Sequence, residues 1–145
     1  RIGPLVRTNI KTMPYPGFPT DMQPQIAAAL CLARGTSIIT DSVWNTRFRY
    51  TDEFKRMGAQ IQVDGNLAII EGVERLSGAQ LEACDLRAGA AMLIAALAAQ
   101  GISEITNVQY IERGYEDVIG KIQAVGGRIR SVEIPEEELL VSNAG

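Results

Sequence analysis

The sequence contains no histidine, which excludes the side chain most often used for acid–base chemistry near neutral pH. The two cysteines, Cys31 and Cys84, are far apart and form no metal-binding or redox spacing. Both lie among apolar residues, so we expect two buried thiols in a reducing compartment. We also expect no metal site and no cofactor.

Long apolar runs are scarce as well. The longest, at 88–99, has twelve residues, whereas a membrane-spanning helix needs about 20.

A net charge of −3 argues against a nucleic-acid or anionic-membrane partner. No signal peptide is visible, so a cytoplasmic location is expected. The chain starts at Arg1 rather than at a methionine, which indicates that it was cut from a larger parent.

The most distinctive stretch is the proline-rich loop and turn from Pro14 to Gln23, with the sequence PYPGFPTDMQ. Its prolines give a rigid approach to an apolar helical run. Thr20 is predicted to cap that helix, with Gln23 completing a capping box. Asp21 then falls in the first turn, where the helix dipole stabilises a carboxylate by about 0.3–1 kcal/mol. Two roles for Asp21 stay open: this structural one and a chemical one.

The pattern of predicted elements occurs about twice. A shift of 66 residues aligns Gly35 with Gly101 and Ile39 with Ile105. We therefore predict about two βαβαββ repeats in an α/β chain, over residues 5–72 and 73–142. In the second repeat the expected helices cover 86–100 and 115–125, and the expected final strands cover 128–134 and 139–142.

The predicted helix at 86–100 is apolar on every side. A helix with no polar face has to be surrounded by other elements, so we expect the long helices inside and the sheets outside. Two repeats leave such helices partly uncovered. We expect a third unit from missing sequence or from another chain, and an exposed apolar surface that favours self-association of this piece.

Charged residues recur at comparable places in the two repeats. Asp85, like Asp21, lies at the start of a long predicted helix. Arg47 and Arg113 each follow the second strand of a repeat, and Arg87 lies two residues after Asp85. Most arginines are solvated or ion-paired, but this recurrence favours a site for a carboxylate or phosphate anion.

Several motifs then occur in order along the chain: PYPGFPTDMQ, NTRF (45–48), DEFKRMGA (52–59), GVERLSGAQ (72–80), DLRAGAA (85–91) and ERGYE (112–116). With these motifs the chain, up to about residue 134, resembles the UDP-N-acetylglucosamine 1-carboxyvinyltransferase family of enolpyruvyl transferases. The resemblance implies an inside-out α/β barrel, with three repeats per domain, buried helices and outer sheets. All 145 residues then belong to one domain, as the last two repeats of the C-terminal domain, and the N-terminal catalytic domain is absent.

The resemblance also implies a reaction. The family transfers enolpyruvyl from phosphoenolpyruvate to the 3′-hydroxyl of UDP-N-acetylglucosamine and releases phosphate, the first committed step of peptidoglycan synthesis. Asp21 matches the carboxylate that takes the hydroxyl proton, and Val43 matches a backbone contact with the nucleotide sugar. The arginines that surround phosphoenolpyruvate in the family match Arg47, Arg87 and Arg113. Asp85 matches a carboxylate that supports those arginines near the reacting carbon.

The family's general-acid cysteine, the target of fosfomycin, belongs to the other domain. Neither Cys31 nor Cys84 inherits that role, so we expect no turnover from these 145 residues alone. Two alternatives stay open: a non-catalytic binding or regulatory module of the same fold, and an enolpyruvyl transferase for another acceptor. Retention of Asp21 and the arginines favours the enzyme.

Overall fold

A computed structural model of the chain describes residues 3–42 and 48–133. The strands in these ranges are β1 (Ile10–Thr12), β2 (Thr36–Asp41), β3 (Gln60–Asp64), β4 (Leu67–Glu71), β5 (Gln80–Glu82) and β6 (Glu104–Thr106). The helices are α1 (Gln23–Leu30), α2 (Tyr50–Arg56), α3 (Leu86–Ala98), α4 (Gln109–Gly114) and α5 (Val118–Ala124). A 3₁₀ turn at Thr20–Met22 leads directly into α1.

The first four strands form one sheet in the order β1-β2-β4-β3. β1 runs parallel to β2, while β2 and β3 both run antiparallel to β4. The predicted hairpin between β3 and β4 is confirmed, and Gly65 at its turn has a φ of 57°, a conformation that glycine adopts without steric cost. In β2, alternate residues face the core, which buries Ser37, Ile39 and Asp41.

The second sheet has two parallel strands, β5 and β6, joined through α3. β1, α1 and β2 make the same βαβ unit in the first half of the chain. Both halves therefore begin with the unit that the sequence predicts. α1 packs against α3, and α2 also contacts α3, so the helices of the two halves share one core.

α3 departs from the prediction that it is enclosed on every side. It buries a stripe of small residues together with Met92, but Ile94 and Leu97 are 44% and 45% exposed. Within the part of the chain that the structure covers, one apolar face of α3 is thus left open. No helix in that part is long and apolar enough to span a membrane.

The end of the chain also differs from the prediction. The helix expected at 115–125 is present as α5, but it starts only after Asp117, whose φ is 47°. The short helix α4, which precedes it, was not predicted. The Asp117 side chain accepts a hydrogen bond from the Gly120 N–H and starts α5, which an uninterrupted helix would not permit. Residues 128–133 form no strand, and the strand expected at 139–142 lies outside the described residues.

Candidate active site

The proline-rich loop is closed by its own backbone hydrogen bonds. The Met13 N–H donates to the Phe18 carbonyl at 2.9 Å, and the Gly17 N–H donates to the Pro14 carbonyl at 2.9 Å. The Met22 N–H then donates to the Pro19 carbonyl at 3.1 Å, which forms the 3₁₀ turn. The loop therefore delivers Asp21, the middle residue of that turn, to a defined place at the start of α1.

Asp21 lies at the surface and pairs with an arginine from the second half of the chain. Its Oδ1 lies 2.5 Å from Nε of Arg87, in the first turn of α3. The side chains of Asp21 and Arg87 are 60% and 40% exposed, so both remain open to a ligand. An ion pair this exposed contributes little to stability. Two candidate residues that are distant in sequence thus meet at one place.

The predicted capping box at Thr20 and Gln23 is wrong. Neither the 3₁₀ turn nor α1 has a side-chain cap. Instead, the Thr20 hydroxyl and the Gln23 amide both donate to Oδ2 of Asp41, at 2.8 Å and 2.9 Å. A buried carboxylate is a stronger acceptor than a neutral group, which accounts for both side chains turning away from the helix backbone.

Asp41 is a residue that the sequence reasoning missed. It is 1% exposed, at the end of β2, and its Oδ1 also accepts a hydrogen bond from the Thr12 hydroxyl at 3.0 Å. Tyr50 extends the cluster, because its hydroxyl donates to Gln23 Oε1 at 2.6 Å. Burial, with smaller contributions from Cys31 and Asp41, raises the pKa of Tyr50 and keeps this hydroxyl a donor. The available signal was the alternation in β2, which turns Asp41 to the core.

Asp85 takes the structural position predicted for it at the start of α3. Its Oδ1 accepts a hydrogen bond from the Ala88 N–H at 2.8 Å, so it is the N-cap of that helix. This cap fixes the first turn of α3, which carries Arg87. Asp85 is itself exposed.

Arg113 is exposed and belongs to α4. α4 packs closely on α3, because a Cβ at Gly89 would lie 2.6 Å from Cγ1 of Ile111 and one at Gly114 would lie 2.3 Å from Cδ1 of Leu86. Arg113 and Arg87 therefore come from adjacent helix turns. Among the described residues, no ion pair or hydrogen bond joins Arg113 to Asp21, Asp85 or Arg87.

Val43 and Arg47, the other two candidate residues, lie outside the described residues. The residues on either side of this gap are described: the Ser42 hydroxyl donates to the Thr12 carbonyl at 3.2 Å, and Phe48 is buried in the core. Ser42 therefore lies next to the end of β1, the strand that precedes the proline-rich loop.

The two cysteines differ in environment, contrary to the prediction that both are buried. Cys31 is buried, and loss of solvation raises its pKa to about 12. Cys84 is exposed, directly before Asp85, and its pKa is also raised, mainly by partial burial and then by the charge of Asp85. In the ranges the structure covers, no three Cys, Asp or Glu side chains are grouped so as to hold a metal ion.

The arrangement joins an exposed carboxylate, a guanidinium group and a capped helix start on one surface, with a second guanidinium on the neighbouring helix. The carboxylate can accept a proton, and the guanidinium groups can bind an anion and stabilise charge that forms beside it.

Comparisons with known proteins identify the family of the chain. The family model for EPSP synthase (3-phosphoshikimate 1-carboxyvinyltransferase) matches residues 4–122, and the chain belongs to this family. A solved structure, the enolpyruvyl transferase NikO from Streptomyces tendae, superposes with a TM-score of 0.84 and 31% identity, over 93% of this chain and 31% of that one. The fold is therefore that of the enolpyruvyl transferases, as predicted.

Within the family, the curated relatives are named UDP-N-acetylglucosamine 1-carboxyvinyltransferase. One from Thermotoga petrophila is 58% identical over 125 residues, which is 86% of this chain and 30% of the relative. Another, from Desulfofundulus thermocisternus, is 52% identical over 142 residues, which is 98% of this chain and 58% of the relative. The resemblance found in the sequence is confirmed, and the chain spans about a third to three-fifths of these relatives.

Proposed function

We propose that this chain is part of an enzyme that transfers enolpyruvyl from phosphoenolpyruvate to the 3′-hydroxyl of UDP-N-acetylglucosamine. The observation that carries the proposal is the contact between Asp21 and Arg87, which joins a candidate base to a candidate anion-binding group. The names of relatives at 52–58% identity support the same acceptor. The reaction is the first committed step of peptidoglycan synthesis, and we expect it in the cytoplasm.

In this proposal Asp21 is the general base. It takes the proton from the sugar 3′-hydroxyl while that oxygen bonds to C2 of phosphoenolpyruvate, and C3 gains a proton from an acid outside this chain. The resulting tetrahedral intermediate then loses a proton from C3 as the bond from C2 to the phosphate oxygen breaks. Enolpyruvyl ether and inorganic phosphate are the products.

The cationic residues bind the phosphate and carboxylate of phosphoenolpyruvate. Arg87 and Arg113 contribute from α3 and α4, and Arg47 from the segment after β2. Asp85 holds the first turn of α3 and so keeps Arg87 in place. The backbone of Val43 contacts the nucleotide sugar. When phosphoenolpyruvate binds, its anionic oxygens compete with Asp21 for Arg87, which frees the carboxylate for the hydroxyl proton.

The remaining contacts come from outside the chain. We propose that residues 1–145 are the last two repeats of a C-terminal domain, and that the N-terminal domain supplies the acid and the other wall of the pocket. The isolated chain is then expected to release no phosphate from the two substrates. Phosphate release from the isolated chain that requires both substrates would contradict this division.

The direct test is Asp21→Ala in the full-length enzyme. Loss of the base is expected to lower kcat by about 100-fold or more, since a positioned base contributes about 10²–10⁴-fold. Calorimetry should show UDP-N-acetylglucosamine binding within about threefold of wild type. Asp52→Ala, an exposed carboxylate on α2, is the matched control and should leave kcat unchanged. Unaltered turnover in the Asp21 variant would refute the base assignment.

A different acceptor is the second candidate. It is favoured by the family model, whose name specifies 3-phosphoshikimate. Phosphate release with each acceptor in the full-length enzyme separates the two. We expect turnover with UDP-N-acetylglucosamine and none with 3-phosphoshikimate.

A further inference from the structure

Asp41 occupies an unusual position for a carboxylate. It faces the core at the end of β2, with 1% exposure, and accepts hydrogen bonds from Thr12, Thr20 and Gln23. Thr12 and Gln23 are themselves fully buried. A buried charge is tolerated only when such donors surround it, so the cluster is built as a unit.

The three donors come from both sides of the proline-rich loop. Thr12 ends β1 just before the loop, whereas Thr20 and Gln23 lie in the 3₁₀ turn and at the start of α1, where the loop ends. One carboxylate therefore ties together the two ends of the loop. Asp41 Oδ1 accepts the hydrogen bond from Thr12, and Oδ2 accepts those from Thr20 and Gln23. Each carboxylate oxygen therefore holds one end of the loop.

Tyr50 fixes the orientation of the Gln23 amide. Its hydroxyl donates to Oε1 at 2.6 Å, which leaves Nε2 as the atom directed at Asp41. A flipped amide would place its NH₂ against a donor and its oxygen against a carboxylate. The orientation of the Gln23 amide is thus defined, and the hydrogen bonds to Asp41 hold the turn from Thr20 to Met22 in place.

We propose that Asp41 is a positioning residue that acts through Thr20 and Gln23 to hold Asp21 where it meets the substrate hydroxyl. The inference rests on the proposed function, because it assigns Asp21 the role of base. Thr20 is next to Asp21 in the chain, so the bond from its hydroxyl to Asp41 is the shortest link between the buried cluster and the exposed carboxylate.

The test compares two threonines that donate to the same carboxylate. Thr20→Val and Thr12→Val both remove one hydroxyl at nearly constant shape, but only Thr20 is next to Asp21. In the full-length enzyme we expect Thr20→Val to lower kcat about 10- to 100-fold, with the KM for either substrate changed less than about threefold. Thr12→Val should keep kcat within about threefold, and Thr20→Ser, which retains the hydroxyl, should restore it.

Hydrogen exchange supplies a readout independent of turnover. The Met22 N–H, which closes the turn on Pro19, should exchange about tenfold faster in Thr20→Val than in Thr12→Val. Equal kcat losses in the two valine variants, or no loss in Thr20→Val, would overturn the positioning role. Asp21→Ala is measured beside them: if it turns over normally, the proposed function fails, whatever the threonine variants do.

Discussion

At the scale of single residues, the exposed aspartate in the 3₁₀ turn and the buried aspartate bonded to that turn have opposite environments. Asp41 is enclosed by hydroxyl and amide donors, whereas Asp21 is mostly exposed and meets a guanidinium group. Removing a buried acceptor leaves its donors without a hydrogen-bond partner. The donors to an exposed acceptor can bind water instead. Replacing Asp41 should therefore lower the stability of the fold, whereas replacing Asp21 should lower catalysis with little loss of stability.

Asp41→Ala is expected to lower the free energy of unfolding by about 3 kcal/mol, because Thr12, Thr20 and Gln23 lose their shared acceptor in the core. Denaturant unfolding of the full-length enzyme measures this. Asp21→Ala, which removes an exposed partner, should cost less than about 1 kcal/mol. Equal losses for the two variants would mean that the Asp41 cluster does not stabilise the fold.

Local signals predicted some of these residues and not others. Asp85 precedes an apolar run at its own helix start, so its position could be predicted from a few neighbouring residues. For Asp41 the alternation in β2 indicates a core position, but its hydrogen-bond partners could not be predicted, because they lie 18–29 residues away. Thr20 and Gln23 carry a valid capping-box pattern, but a buried carboxylate from another strand displaced the local hydrogen bonds.

At the scale of elements, the contact between α3 and α4 depends on glycine. Gly89 is buried on α3, and Ile111 of α4 occupies the space where a Cβ would lie, with atoms at 2.6 and 2.9 Å. This close approach sets the distance between the helices that carry Arg87 and Arg113. A larger residue at this position would push the two arginines apart.

Gly89→Ala is therefore expected to destabilise the protein, although alanine is favoured in helices by about 1 kcal/mol. In an Ile111→Ala background the space is free, and the same change should stabilise by about that amount. A double-mutant cycle of unfolding free energies measures the coupling. Additive effects in the cycle would show that the two helices adjust without cost.

Secondary structure was predicted best where the sequence contains residues typical of a tight turn. The β3–β4 hairpin lies where Asp64, Gly65 and Asn66 predict it. The short helix α4 was not predicted, and α5 was predicted to start too early, since Asp117 carries no obvious helix-breaking signal yet adopts a left-handed conformation. The choice there depends on a side-chain bond to Gly120 that competes with helix continuation.

At the scale of the whole molecule, α3 has apolar side chains open to solvent. Ile94 and Leu97 lie one turn apart on it and are each almost half exposed. That a third unit covers this helix stays a prediction. Which of its residues are exposed could not be predicted from the sequence, because that depends on how α1 and α2 pack against it.

The isolated chain is expected to self-associate through this face. Sedimentation velocity should show a mean mass that rises with concentration, and Ile94→Gln with Leu97→Gln should reduce that rise. Val63→Gln, an exposed apolar residue on β3, is the matched control and should leave the association unchanged. A concentration-independent monomer would contradict the expectation.

The contrast between the two thiols has a practical consequence. Cys84 is exposed beside the cap of α3, while Cys31 is buried with a pKa of about 12. A maleimide dye should consequently attach to one position, and faster at higher pH, because the raised pKa of Cys84 limits its thiolate at neutrality. That position is three residues from Arg87, so the chain carries a natural attachment point for a fluorescent reporter of anion binding.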